Sequence, residues 1–412
     1  MSSTIAPEVE RRNGLIYLIS VTLTYFAAPV TYVGIVQAAL CDKLGASATV
    51  SNLPDSAYLI GSAAPLLLSW VIPPARERPV LVWVHVLMAI LLALVGITLV
   101  FPLDNSIRIA AVIGHGLIMG LLGSVAQVYM MQCLGRGTTL EGMTRTFKVT
   151  YAIGPVAAVA GSLGAQAMLG QHIAALRYPY DFAWLYFAGV PCMAVIAVLS
   201  GRYIMEPIVA EPPPPLVQYL VRSVKVYFQA RALALAGIAY VVFFVGLEGM
   251  SNLSLYTKEA LGRDPKDFSG MIMALRFGFK CIAGYVLGVM AHRWGIRAPV
   301  IGSVLPLVGA MLWAWVMPGY PFLFTFALLG AAELGGLYFP GYVLAISSAE
   351  AGARNMSILT LATVIAGLAP AVHGALTDKF GFPASFLFGG LAALAALCLT
   401  LRLPSQEEAR SI

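Results

Sequence analysis

The sequence predicts an all-α integral membrane protein of twelve transmembrane helices in two six-helix halves. Composition is the first reason. Of 412 residues, 59% are apolar and only 11% charged, against about 45–50% and 25% in an average soluble domain. A water-soluble globule is excluded. At about 20 residues per spanning helix, twelve helices take roughly 240 positions and leave the rest for short tails and loops. The second reason is pattern: the apolar runs are long and do not alternate. Every backbone polar group in lipid needs an internal partner, and a closed barrel needs alternating strands about ten residues long, so these runs are helices. The third is charge. With the N-terminus in the cytoplasm, the 25 Lys and Arg divide as 16 on that side, 7 on the other and 2 within the membrane, the bias that sets topology.

Apolar runs and their breakers place spans near residues 14–40, 56–72, 79–101, 108–133, 147–169 and 182–204. A second set lies near 233–256, 268–291, 299–317, 321–347, 356–376 and 384–403. The run following the tail of Glu8, Glu10, Arg11 and Arg12 is too long for a signal peptide and reads as the first span. Pro29 is expected to kink it. Residues 1–204 thus form one half and 233–412 the other, joined by a cytoplasmic linker over 205–232. That linker opens with Glu211-Pro212-Pro213-Pro214-Pro215, a polyproline-type spacer. The stretch 216–228 then mixes helically spaced apolar residues with Arg222 and Lys225, as in an amphipathic helix lying on the inner membrane surface.

Other chemistry has little support in the residues. The five cysteines are odd in number and widely separated, so neither a disulfide framework nor a zinc site is expected. No phosphate loop, Gly-x-Ser-x-Gly elbow, His-Glu-x-x-His or Cys-x-x-Cys occurs, so the protein reads as a non-enzyme without cofactors. The net charge of +6 is scattered between apolar runs, so nucleic acid is not an expected partner.

The halves echo each other. Pro79 of the third span and Pro299 of the ninth lie 220 residues apart, and Pro155 of the fifth and Pro370 of the eleventh 215 apart. Between the eighth and ninth spans, the run Gly288-Val289-Met290-Ala291-His292-Arg293-Trp294-Gly295-Ile296-Arg297 resembles the Gly-x-x-x-Asp-Arg-x-Gly-x-Arg loop of the major facilitator superfamily. His292 stands where the family usually has Asp. The first-half counterpart keeps its ending, Arg78-Pro79-Val80-Leu81, but has Pro73 at the Asp position and no glycine. The run from Pro370 to Phe382 is similar to the family's eleventh-helix exit, and Gly154-Pro155 matches part of a motif associated with exporters. The Arg that drug:proton exporters usually carry in the fourth helix is replaced here by His115 or Gly116. The resemblance implies alternating access by two rocking halves around a midplane site. It also assigns gating to Gly288, His292, Arg293, Gly295 and Arg297, and makes the first, fourth, seventh and tenth helices the cavity lining.

Four ionisable residues lie well inside the spans: Glu248, Arg276, Lys280 and Glu333. Each costs about 2.5–3.5 kcal/mol at mid-bilayer on an insertion scale, so all four must face protein or a wet cavity. Matching depths at 1.5 Å per residue pairs Glu248 with Arg276 and Glu333 with Lys280. The cations Arg276 and Lys280 are expected to bind substrate, and Glu248 and Glu333 to carry a coupling proton. Permanent structural salt bridges are the competing reading. Tyr25, Tyr32, His115 and Gln127 are candidate hydrogen-bonding partners of substrate, and Tyr338, Phe339 and Tyr342 a candidate aromatic wall. The function expected is a proton-coupled secondary transporter of a small organic anion or zwitterion. It is expected to work as a monomer in a bacterial inner membrane, with both termini cytoplasmic. An exporter of amphiphilic compounds and a non-transporting receptor or assembly factor are the alternatives.

Overall fold

The computed structural model describes residues 5–32, 34–64, 76–170, 176–205, 216–347, 351–405 and 408. The loop around Pro73, the end of the second span and the Glu211–Pro215 spacer lie outside them. Among the described residues, ten helices are long and apolar enough to cross a membrane. The first span, broken into Pro7–Phe26, Ala28–Thr31 and Ile35–Lys43, and the second, Ala48–Gly61, complete the twelve.

The third to sixth spans are Glu77–Val100, Asn105–Arg136, Leu140–Leu169 and Tyr180–Ser200. The seventh is Arg231–Leu247 continued by Met250–Leu255, the eighth Lys266–Trp294 and the ninth Arg297–Val316. The tenth is split into Phe324–Ala332 and Gly335–Ile346, and the eleventh into Gly352–Ala366 and Ala369–Phe380. Phe382–Thr400 is the twelfth. Local chemistry sets several boundaries. Ser47 and Thr139 cap the second and fifth spans by accepting from Val50 N and Gly142 N. Gly295 and Gly381, with φ of 78° and 80°, turn the chain between the eighth and ninth and the eleventh and twelfth spans, where a side chain would be strained.

Within the first half the third span packs on the sixth, the first on the fifth and the second on the fourth. Within the second half the seventh packs on the twelfth and the eighth on the tenth. The halves meet mainly along two seams, the fifth span against the eighth and the second against the eleventh, and the last segment of the first span also touches the seventh and eighth. The linker helix Leu216–Gln229 packs on the seventh and eleventh spans. It buries Tyr227 beside Gly237 and leaves Val217, Val221 and Phe228 exposed, an apolar face suited to lipid.

The face where the chain enters and leaves the bundle is here termed terminal, and the opposite one distal. Cross-half hydrogen bonds gather on the distal side. Lys43 Nζ lies 2.6 Å from Asp264 and Lys258 Nζ 3.2 Å from Asp42. The Asp378 carboxylate caps the second span by accepting from Ala48 N at 2.8 Å and Thr49 N at 2.9 Å. The hydrogen bond to Asp264 raises the pKa of Lys43 above its ordinary value. On the lysine side, the contribution of this tie is fully present below the usual lysine range and fades as pH rises through the raised value.

Deeper in the same seal, Lys266 Nζ lies 2.8 Å from Asp181 and 3.0 Å from the Leu169 carbonyl. Residue exposures are 2% and 0%. Removing one partner of such a pair strands the other and costs about 3–5 kcal/mol. Lys266→Met is therefore expected to lower the unfolding temperature in detergent, and Lys266→Met/Asp181→Asn to recover most of the loss. A double variant no more stable than Lys266→Met shows that the pair is not coupled in this way.

Candidate functional site

Below the distal seal, a cavity of about 410 Å³ lies between the halves. The first half supplies Tyr25, Tyr32, Gly34, Asp55, Tyr58, Gln127 and Tyr151; the second supplies Phe244, Glu248, Ser251, Arg276, Lys280, Glu333, Leu334 and Leu337. Two of its acids stand where helices are interrupted. Glu248 closes the first segment of the seventh span and Glu333 the first segment of the tenth. Interrupted helices at mid-depth free backbone groups that only a protein-lined or wet cavity can satisfy.

Arg276 and Lys280 project from one face of the eighth span, as an i,i+4 pair must, and both reach Glu333. Arg276 Nε pairs with Glu333 Oε1, and Lys280 Nζ lies 3.0 Å from Oε2. Gly330 makes this possible. A Cβ there would come within 2.0 Å of the Arg276 carbonyl, so only glycine lets the tenth helix come close enough for Glu333, one turn further on, to meet both cations. The Arg276 guanidinium also lies 4.6 Å from the centre of the Tyr32 ring, a cation–π contact across the halves.

The pairing of Arg276 with Glu248 is thus replaced. The eighth span packs on the tenth, while the seventh packs on the twelfth and eleventh, so equal depth does not bring Glu248 and Arg276 together as an ion pair. Of the other candidates, Tyr25, Tyr32 and Gln127 line the cavity. His115 does not: it is wholly buried inside the first half, edge-on to Tyr186 with ring centres 5.3 Å apart. Phe339 packs on Tyr240 and Phe243 inside the second half. Tyr342 donates to the Pro404 carbonyl at 2.8 Å near the terminal face. Tyr338 is partly buried against the apolar core and is not among the residues lining the cavity. In the loop candidate, Gly288, His292, Arg293 and Gly295 are exposed at the terminal face, and Arg297 donates to the Leu401 carbonyl at 2.6 Å.

Two residues that matter here are not among the site candidates expected from the sequence. Asp55 is 6% exposed and accepts from the Ser251 hydroxyl across the halves. It lies seven residues into a helix that begins at Ala48, eight residues before the apolar run near 56–72. The usable signal was Ser47, a capping residue before a helical stretch. Asn252 is fully buried and donates to Thr377 at 2.8 Å and Ser385 at 2.9 Å, while accepting from Asn52 at 3.0 Å. It joins the second, seventh, eleventh and twelfth spans.

No family model and no curated protein sequence matches the chain. Solved structures do. A point mutant of the nucleoside transporter NupG superimposes with a TM-score of 0.72 at 12% identity, covering 96% of this chain and 99% of that one. A D-xylose-proton symporter gives 0.66 at 13% identity, covering 97% and 98%. A structure titled for substrate recognition in proton dependent oligopeptide transporters gives 0.68 at 14% identity, covering 96% and 97%.

Proposed function

We propose that this chain, which has the major facilitator fold, is a proton-coupled secondary transporter that moves a small organic anion or zwitterion by alternating access. The observation that carries the reading is the cavity between the halves, with two cations and three carboxylates on its wall. Fixed charge at this depth has a cost that packing alone does not require, and the site sits where rocking of two halves would expose it to each face in turn. Nucleoside, D-xylose and oligopeptide transporters among the similar structures support the class.

Within that class a zwitterion is favoured over a simple anion. Glu333 already holds both Arg276 and Lys280, so an incoming carboxylate must compete for them, whereas an ammonium group would meet Asp55 and Glu248. In this reading the basic terminal face is cytoplasmic, and the loop from Gly288 to Arg297 latches the second half there.

The test is a thermal-shift screen of the purified protein against dicarboxylates, amino acids and lipophilic cations at two pH values. Ligand at about a hundred times its Kd stabilises by roughly 2.7 kcal/mol. Carboxylate-bearing hits that vanish in Arg276→Gln, and that enter proteoliposomes faster under an imposed proton gradient, are expected. Stabilisation by lipophilic cations alone rejects this substrate class, and binding without flux rejects transport.

A further inference from the structure

We propose that Asp55 and Glu248 form a carboxylate pair across the two halves that shares one proton when the distal side is closed and repels it open when that proton leaves. The inference rests on the transporter reading and adds to it the residue from the first half and the direction of the switch. Asp55 lies seven residues in from the distal end of the second span, and Glu248 seven residues short of the distal end of the seventh. At 1.5 Å per residue both stand ~10 Å below the distal ends of their helices. Both line the same cavity. Ser251, one turn beyond Glu248, donates to Asp55, which ties the seventh span to the second at this level.

Charge then decides what the pair can do. Two cations against three carboxylates leave one excess negative charge, and a single proton cancels it. Arg276 and Lys280 approach from the eighth span, but Glu333 of the tenth holds both, and among the described residues neither Asp55 nor Glu248 has a salt-bridge partner. The remaining titratable neighbours are phenols and one imidazole. Tyr32 of the first span is occupied as the platform for Arg276, Tyr25 of the first, Tyr58 of the second and Tyr151 of the fifth are phenols on the same wall, and Tyr240 of the seventh is a buried phenol. His373 of the eleventh packs on Gly249 and is held by Ser385 at 2.8 Å and the Val245 carbonyl at 3.1 Å. The proton is therefore placed on the carboxylates.

Because one acid belongs to each half, their repulsion acts directly on the distal seam. With the proton bound, the seam closes and the cavity is presented to the terminal face. Loss of the proton to that face leaves two like charges in a low-dielectric site, which favours separation, and the distal side opens to collect the next proton. The cycle carries the proton from the distal face to the terminal face.

The experiment measures the distal seam directly and needs no substrate. Spin labels are placed on Ser106→Cys and Pro318→Cys, exposed positions on opposite halves of the distal face, with exposed Cys281 and Cys398 replaced by Ser. The full-length protein is studied in lipid nanodiscs from pH 5 to pH 9. The expected result is a short distance at low pH and a growing long-distance population as pH rises. Its open-to-closed ratio should change by about tenfold for each unit of difference in proton affinity between the two forms. Asp55→Asn and Glu248→Gln should each stay closed across the range, and His373→Gln should titrate like the parent. Parent distances that do not change with pH overturn the proposal, as do variants that titrate unchanged or a response lost in His373→Gln. A pH-independent distance that still shifts when a ligand from the thermal-shift screen is added leaves the transporter reading standing without this pair. Distances fixed under every condition reject both.

Discussion

Glu333→Gln is expected to lower stability more than Arg276→Gln while both abolish uptake. Glu333 is the shared counter-charge of Arg276 and Lys280, and its neutralisation leaves two cations together in a mostly buried site. Breaking a buried pair by removing one partner costs about 3–5 kcal/mol, so the unfolding transition in detergent should drop substantially. Arg276→Gln leaves Glu333 paired with Lys280 and removes only the guanidinium, so the transition should move less. Arg276→Gln/Glu333→Gln should regain part of the lost stability without regaining uptake, because one cation remains instead of two. Denaturation of the three proteins beside proteoliposome uptake separates the effects. Equal stability of Glu333→Gln and parent would mean that water, and not Glu333, carries the balance of charge.

Gly374→Leu is expected to leave each half folded and prevent the distal side from closing. A Cβ on Gly374 would lie 2.6 Å from the Ala48 carbonyl, and backbone cannot step aside as a side chain can. Overpacking of this kind costs about 1–3 kcal/mol, which shifts the closed-to-open ratio by roughly 5–150-fold. The 106–318 label distance should be long at every pH, with uptake falling in proportion and helix content unchanged. A short distance at low pH in this variant shows that the eleventh helix accommodates the side chain by local tilting.

The spans were legible because lipid imposes a minimum apolar length that few soluble elements reach, and the intramembrane charges because that same rule makes them conspicuous. Asp55 escaped for the converse reason. It belongs to a helix whose first turns, Ala48 to Pro54, are mostly small or polar and pack against the other half at the distal seal, where apolarity is not required. Depth arithmetic gave each charge a height but no bearing around the bundle. Arg276 therefore appeared level with Glu248, while helix adjacency delivered it to Glu333. His115 and Gln127 show the missing coordinate within one helix: twelve residues at 100° each leave them about 120° apart, and only Gln127 faces the cavity. Tyr342 illustrates a third limit, since its phenol is used by a backbone carbonyl near the end of the chain, a contact that no local pattern announces.

The outer ties of the distal seal carry one further consequence. Lys43–Asp264 and Lys258–Asp42 are partly open to solvent, unlike the buried Lys266–Asp181 pair beneath them. Mobile ions screen exposed charges over about 8 Å at physiological ionic strength and about 3 Å at 1 M. The two layers therefore respond differently to the medium. Salt loosens the outer layer and leaves the inner one almost untouched, so how firmly the distal side is held is a property of the chain and of the brine around it.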